Sequence, residues 1–477
     1  MIEPFPFAGL PLAVFGLGRS GLSAARALAA ADAEVWAWDD DEGQREKAEE
    51  AGVPLVDLYH CDWRELTTLV LSPGVPLTHP EPHPIVGLAR AAGCEVIGDV
   101  ELLARTMRDA RYIGITGTNG KSTTTALVGH ILSLAGRSVE VGGNLGMPVL
   151  ALDPLDGSGT YVIEMSSYQL DLTVSITFDV AALLNLTPDH IDRHGSFDDY
   201  VAVKKKIFHR QTDPRTAVVC VDDEPCRRVF DALVAQGDQR LIPVAVERAV
   251  EGGVYVLDGV LHDDTEGHAA QVIDLKPIAA LPGAHNWQNA AAAFAVARAA
   301  SVAPPVAGAC LRSFPGLAHR MELVAVIDGV RYVNDSKATN ADAAARALAC
   351  YDAIYWIAGG RAKEGGIAAL APHFPSIARA FLIGEAAGDF AATLADRVPH
   401  TLCGDLATAV SKAAAAATGE GRDDAVVLLS PACASFDQFA DFEARGDAFR
   451  ALVAGLSGAR EDLDDLAAGA FPGGGVH

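Results

Sequence analysis

Apolar residues along this chain cluster into runs of strand length, and between the runs lie stretches whose apolar positions recur with helical spacing. PLAVFGLG (11–18) reads as a strand entering a glycine turn, RSGLSAARALAAADA (19–33) as a helix and EVWAWDDD (34–41) as a second strand ending in acids. After the polar ARTMRDAR a new strand begins in RYIGITG (111–117), followed by TYVIEMSS (160–167) and VAALLNLTPDH (180–190). LPGAHNWQNAAAAFAVARAA (281–300) predicts a loop and then an Ala-rich helix. Beyond Pro315 the runs VRYVNDS, AIYWIAGG, AFLIGE, HTLCGD and AVVLLSPACAS recur at regular spacing with Ala-rich helical stretches between them. Such alternation predicts mostly parallel sheets, so the expected class is α/β.

With 477 residues the chain exceeds one ordinary core. The pattern divides it into domains at 1–109, 110–316 and 317–457, with an acidic, then Gly-rich tail at 458–477 expected to fray. Half the residues are hydrophobic and 21% are charged, the balance of a globular enzyme. No run of about 18 uncharged apolar residues occurs, which argues against a spanning helix. The first residues carry no basic region of a signal peptide, so the cytoplasm is the expected location. A net charge of −25 argues against a nucleic-acid partner. It does not exclude a small anion, which local N–H groups and a few cations can hold. The eight cysteines are scattered without a CxxC pair, as reduced thiols would be.

The stretch GITGTNGKSTT (114–124) carries the most specific chemistry. Gly117 and Gly120 let the backbone wrap a phosphate, Lys121 can bridge terminal phosphates, and Ser122 or Thr123 offers a hydroxyl to Mg2+. Ile115 stands where a strict phosphate loop has glycine, so the match is to a shortened variant. GLGRSG (16–21) supplies Gly16, Gly18 and Gly21 after a strand, with Asp39 ending the next. That is a dinucleotide fingerprint, yet the same physics serves any diphosphate. Ser20 can donate to the diphosphate, and Asp39 can take a ribose or base edge. Glu164 ends an apolar strand where a carboxylate can hold Mg2+. His190 lies in the polar cluster of TPDHIDRH and is a candidate for a metal or substrate role. The lysines of YVAVKKK (200–206) read from charge alone as a solvated helix face or basic patch. Arg320 can complement a phosphate, although Arg320, Asp335 and Lys337 are equally readable as surface ion pairs. Ser435 suits a helix cap or a ligand carboxylate, and capping is the simpler expectation.

Taken in order, GITGTNGKSTT, EMSSYQL, NLTPDHIDRH, GAHNWQNAAAA, GLAHRMELV, NDSKATN and LLSPACASFDQF resemble the Mur ligase family, most of all its D-glutamate-adding members. The resemblance implies a Rossmann-like UDP-binding domain, a central P-loop ATPase domain and a Rossmann-like domain for the incoming amino acid. It therefore displaces a nicotinamide reading of the first glycine turn. It implies an ATP-dependent ligase with Mg2+, two ions expected, that joins D-glutamate to UDP-N-acetylmuramoyl-L-alanine as a monomer. Residues Gly117, Thr118, Asn119, Gly120, Lys121, Ser122 and Thr123 would hold ATP. Ser122 and Glu164 would hold one metal and His190 a second shared with the substrate, with a carbamate on Lys204 as an oxygen ligand for Mg2+. Lys121, His190 and Lys204 would carry catalysis. Asn286 and Asn289 would lie near adenine, with Arg320, Asp335 and Lys337 near the ribose and phosphates. The UDP-linked acceptor would meet Gly18, Arg19, Ser20, Asp39, Asp40, Ser72, Gly74 and Asn144, and the amino acid Thr339, Lys363, Ser435 and Phe442. Rival readings are a family member using another amino acid, or a nucleotide-switched regulatory module.

Overall fold

The computed structural model describes residues 1–461 except 145, 279, 363, 364 and 423. Three sheets follow one another along the chain. The first contains β1 (Pro11–Phe15), β2 (Glu34–Trp38), β3 (Thr68–Leu71) and β4 (Glu95–Ile97) in the order β2-β1-β3-β4, all parallel. The second contains β5 (Arg111–Thr116), β6 (Val139–Gly143), β7 (Thr160–Glu164), β8 (Val180–Leu183), β9 (Thr216–Cys220), β10 (Arg240–Val246), β11 (Val254–Leu257), β12 (Val260–Asp263) and β13 (Ala270–Asp274). Its order is β13-β12-β11-β10-β9-β8-β5-β7-β6. The third contains β14 (Glu322–Ile327), β15 (Val330–Asn334), β16 (Ile354–Gly359), β17 (Ile377–Ile383), β18 (His400–Gly404) and β19 (Val426–Leu429), in the order β14-β15-β19-β16-β17-β18.

Strands expected from fully apolar runs lie at the centres of the sheets. Ile115, Val162, Ala181 and Leu429 are wholly or almost wholly buried, as strands covered on both faces by helices require. Weaker patterns supply the edges. The hairpin β11–β12 is antiparallel, and β14 pairs antiparallel with β15, so neither of these sheets is purely parallel.

Two compact units emerge, one holding Met1–Ile273 and Gln288–Leu311, the other Asp274–Trp287 and the chain from Arg312. The first two sheets share the first unit. Fraying expected from residue 458 does not hold for the first residues of that tail. Ala459 and Glu461 exchange backbone hydrogen bonds with the edge strand β14 and the turn after it. Residues 462–477 lie outside the described chain.

Strand order fixes where ligands can sit. In the first sheet the chain crosses from β2 back over β1 to β3, and in the second β5 lies between β8 and β7. At such a reversal the loops leaving the carboxyl ends diverge and open a crevice. The glycine turn after β1 and the loop after β5 both emerge there.

Candidate active site

The loop after β5 is shaped by two glycines and an asparagine clamp. Gly117 has φ +157° and Gly120 φ +83°, the second directly before the helix Lys121–Leu134. A Cβ on Gly120 would lie 2.1 Å from Asn289 Oδ1, so only glycine fits. The Asn119 N–H donates to Asn185 Oδ1 (2.8 Å), and Asn185 Nδ2 donates back to the Asn119 carbonyl (3.1 Å). The Thr118 N–H donates to the Asn185 carbonyl (2.8 Å), and its hydroxyl lies 3.0 Å from that of Tyr200. Lys121 folds back over the loop, its Nζ donating to the carbonyls of Gly117 (3.0 Å) and Thr118 (2.8 Å). Ser122 is buried and Thr123 half-buried in the first turn of the helix. The helix N-terminus thus presents N–H groups and a flexible cation to the same point, the arrangement that holds a polyphosphate.

Around the loop stand the groups from neighbouring strands. Glu164, buried at the end of β7, accepts from Asn144 Nδ2 (2.9 Å), while its carbonyl accepts from the Asn144 N–H (2.9 Å). Lys204 is only 2% exposed on the helix Phe197–Lys205. Its Nζ donates to Thr116 Oγ1 (3.2 Å) and the Gly117 carbonyl (2.9 Å) and lies 4.9 Å from the centre of the Tyr200 ring. Burial, helped by the charge of Lys121, pushes its pKa well below the ordinary lysine value, against the opposing pull of Asp189 and Glu164. The solvated-face reading of the lysine run is therefore wrong for Lys204. It holds for Lys205, which is exposed, and for Lys206, which pairs with Asp171 (2.6 Å).

His190 has φ +53° and precedes the short helix Ile191–His194. Its ring lies 5.1 Å from that of Tyr168, with Nε2 3.4 Å from Asp189 Oδ2. Desolvation lowers its pKa, the charge of Asp189 opposing, so the neutral imidazole is favoured. Among the described residues no three His, Cys, Asp or Glu side chains gather into a metal cage. The donors at the loop are instead the Ser122 hydroxyl and the Glu164 carboxylate. Both are hard oxygen ligands and suit Mg2+, which keeps waters and shares substrate phosphates.

Four residues of this site were not singled out from the sequence. Thr116 and Asn185 anchor the loop, and Tyr200 covers Lys204. Arg193 reaches from the second sheet's loops to the first, donating to the Gly74 carbonyl (2.9 Å) while its guanidinium lies over Tyr168 (4.6 Å). Asn185 had a signal, its place directly after an apolar strand. The others depend on chain paths that meet only in three dimensions.

In the first sheet the glycine turn is tight. A Cβ on Gly21 would lie 1.7 Å from the Gly16 carbonyl oxygen, and one on Gly16 would press on Ser72. Gly18, with extended backbone, starts the helix Arg19–Ala30. Asp39 follows β2 and is half-buried. Its two oxygens accept from the N–H groups of Leu17 (2.5 Å) and Asp41 (2.9 Å), so it braces the turn. Asp40 accepts from the Tyr59 hydroxyl (2.9 Å) and lies 3.1 Å from His83 Nε2. Arg19 donates to the Gly146 carbonyl (2.8 Å), close to Asn144 along the chain. Ser20 hydrogen-bonds toward Asp99, a buried carboxylate at the start of the helix Asp99–Thr106.

In the second unit, Asp335 follows β15, with Lys337 and Thr339 next along the loop. Asp335 is buried rather than in a surface ion pair. It accepts from Ser430 Oγ (2.9 Å) and the Met321 N–H (3.3 Å), and burial raises its pKa to about 7. Arg320 is near enough for its charge to act against that rise. Lys337 Nζ lies 3.7 Å from the centre of the Phe442 ring, and the Thr339 N–H donates to the Lys337 carbonyl (2.8 Å). Ser435 is buried and caps no helix. Asp441 caps Phe442–Ala454, accepting from the Ala444 N–H (2.7 Å), which overturns the capping expectation. Asn286 belongs to this unit's stretch Asp274–Trp287, where Nδ2 donates to the Pro282 carbonyl (2.9 Å). Lys363 lies outside the described residues.

Two family models match this chain, the Mur ligase middle domain over residues 115–297 and the Mur ligase glutamate ligase domain over residues 319–433. The chain is 51% identical to the UDP-N-acetylmuramoylalanine--D-glutamate ligase of Rhodospirillum rubrum, covering 99% of both chains. It is 53% identical to the protein of that name from Caulobacter vibrioides, covering 96% of this chain and 98% of the other. Among solved structures it is similar to UDP-N-acetylmuramate-alanine ligase from Thermotoga maritima, with TM-score 0.57 at 16% identity over 93% of this chain and 99% of that one. A pseudomurein peptide ligase type C from Methanothermus fervidus matches over the same shares, with TM-score 0.53 at 17% identity. These structural matches bear on the fold alone.

Proposed function

The chain belongs to the Mur ligase family, and from that premise we propose how its residues join D-glutamate to UDP-N-acetylmuramoyl-L-alanine at the expense of ATP, a step of peptidoglycan precursor synthesis. Its relatives over nearly the whole chain carry the name of that ligase. The observation that carries the residue assignments is the meeting of Lys121, Ser122, Glu164 and Lys204 around one glycine loop.

The chemistry divides a difficult amide synthesis into two easier steps. A carboxylate oxygen of the acceptor attacks the γ-phosphorus of ATP, the bond to the β-phosphate oxygen breaks, and ADP leaves. The amine of D-glutamate then attacks the acyl carbon of the resulting acyl phosphate, loses a proton, and phosphate departs. Lys121 moves from the loop carbonyls to the phosphates and neutralises charge on the transferring group. Ser122 and Glu164 would hold one Mg2+ ion and His190 a second, and ions held there would offset charge on the transferring phosphoryl group. His190, beside Asp189 and Tyr168, would help to place the incoming amine.

Lys204 is assigned a carbamate. A lysine held neutral by burial presents a nucleophilic nitrogen, which adds to the carbon of CO2 and releases a proton, so that the amine becomes an anionic oxygen donor at the metal side of the loop. Isotope-labelled bicarbonate is expected to give a carbamate carbon resonance that Lys204→Ala abolishes. If the resonance persists in that variant, the assignment fails.

The loop residues Gly117 to Thr123 are assigned to ATP, Asn286 and Asn289 to adenine, and Arg320, Asp335 and Lys337 to its ribose and phosphates. The acceptor is assigned Gly18, Arg19, Ser20, Asp40, Ser72, Gly74 and Asn144, with Asp39 bracing the turn. D-Glutamate is assigned Thr339, Lys363, Ser435 and Phe442. Domain limits at 1–109, 110–316 and 317–457 go with this assignment, and we take the working unit to be a monomer. We place the reaction in the cytoplasm, where ATP and the nucleotide-linked acceptor are available. Among the described residues no helix is long and apolar enough to cross a membrane.

ADP release measured with the UDP-linked acceptor tests the whole reading. D-Glutamate should support turnover, while L-glutamate, L-lysine and diaminopimelate should not. Preference for another amino acid would overturn the narrow assignment, and ATP binding without ADP release would favour a nucleotide-switched module.

A further inference from the structure

At the amino ends of the second sheet's strands, away from the ATP loop, lies a second polar cavity. Strands β10, β9, β8, β5 and β7 run parallel and adjacent. Their amino ends line a cavity of about 340 Å3 that contains Arg111, Arg137, Arg215 and Arg240, faced by one carboxylate, Asp179. Four guanidinium groups against Asp179 and Asp213, the latter paired with Arg240, leave an excess of positive charge in a chain of net charge −25. An adjoining cavity of about 520 Å3 shares Arg111, Arg215 and Asp179 and adds Arg108, the acid Asp109, and Arg105, which is paired with Glu95 and Glu101.

The internal partners of these arginines leave much of the charge uncompensated. Among the described residues, the Arg111 side chain has no hydrogen bond or ion pair. Arg137 makes only a long bond to the Ser301 carbonyl (3.5 Å). Arg215 Nε is buried with no hydrogen-bond partner, 3.8 Å from Asp179 Oδ1. Asp179 spends its other oxygen on the Tyr112 N–H (2.9 Å). Arg240 is paired with Asp213 (2.8 Å). The helices Lys121–Leu134 and Ala284–Ala299 end near this cavity, and their carbonyl ends attract cations. That attraction accounts for Arg137 beside Ser301 but not for Arg111 and Arg215, which begin or precede strands.

We propose that this cavity binds a small organic phosphate bearing at least two negative charges, at a site distinct from the ATP loop. Guanidinium forks match phosphate oxygens, and several in one concavity select a dianion over a single carboxylate. Ile113, Leu132 and Val180 supply an apolar wall for the ligand's body, and the Ser158 and Thr160 positions bring hydroxyls. The volume lies in the range of small-molecule sites. β5 has six residues, so Arg111 and the loop after Thr116 stand at opposite ends of a strand about 20 Å long. Both sites can therefore be filled at once.

Calorimetry on the full-length protein saturated with a nonhydrolysable ATP analogue and the UDP-linked acceptor tests this, with glucose 1-phosphate, inorganic pyrophosphate and inorganic phosphate as separate titrants. Glucose 1-phosphate should bind with one equivalent, more tightly than inorganic phosphate, and weaken as salt rises. The charge reversal Arg111→Glu, at an exposed and unpartnered side chain, should weaken binding at least tenfold while ligase turnover without added phosphate stays unchanged. Arg111→Lys should recover only part of the affinity, since an ammonium keeps the charge but not the guanidinium fork. Absence of heat for all three titrants, or equal binding by wild type and Arg111→Glu, overturns the site. Equal affinity for glucose 1-phosphate and inorganic phosphate overturns the organic ligand.

Discussion

Single side chains in this protein are decided by burial more than by formal type. Lys204, Lys205 and Lys206 are identical letters in one run, yet only Lys204 points under the glycine loop after β5. Lys204→Ala and Lys121→Ala should each lower kcat by about a hundredfold or more, in line with removal of a group that stabilises transition-state charge. Lys205→Ala should leave kcat unchanged within about twofold, and steady-state ADP release distinguishes the two classes. Asp99 makes a pH-dependent case. It is 3% exposed, its Oδ2 has no hydrogen-bond partner, and burial raises its pKa from 3.8 to about 6. The folded state therefore prefers the protonated form. Its contribution to stability is complete below about pH 4 and is lost as pH rises to about 6, with no further loss above. Asp99→Asn should remove that loss. Its melting temperature relative to wild type should climb between those pH values and then level off, and a difference independent of pH would refute the assignment.

Elements carry the site by where they begin and end. The helix Lys121–Leu134 can start where it does because Gly120 takes φ +83° and leaves room for Asn289. Gly120→Ala adds both a left-handed strain of about 1–2 kcal/mol and a clash with the asparagine amide. It should weaken binding of a nonhydrolysable ATP analogue by at least tenfold, more than urea denaturation shows for stability alone. Asp223 ties two elements together. It caps the helix Glu224–Gln236 through the Cys226 N–H (2.7 Å) and accepts from the Leu186 N–H (3.2 Å) in the loop after β8. Asp223→Ala should cost about 1–2 kcal/mol in urea denaturation, the range of a lost N-cap. These starts and stops were partly legible. Glycine turns after β1 and β5 were readable because each needs backbone freedom that only glycine supplies. The antiparallel β11–β12 and β14–β15 pairs were not read out, although each is joined by an Asp-Gly turn, at 258–259 and 328–329, of the kind that favours a hairpin.

On the scale of the whole molecule, charge and topology act together. A net charge of −25 repels itself in the compact state, and moderate salt should raise the melting temperature by screening that repulsion. Differential scanning fluorimetry between low and physiological ionic strength reads the effect, and a falling melting temperature would contradict it. The sequence by itself determined the α/β class, the glycine turns after β1 and β5 and the family, because these rest on local spacing and on motifs in fixed order. Tertiary structure alone decided that Lys204 is the buried lysine, that Asp39 braces a turn and that Asp441 rather than Ser435 caps the last described helix. It also decided that arginines up to 129 positions apart line one cavity. Burial and hydrogen-bond geometry depend on which segments meet, and parallel strands bring together residues whose distance along the chain carries no record of it.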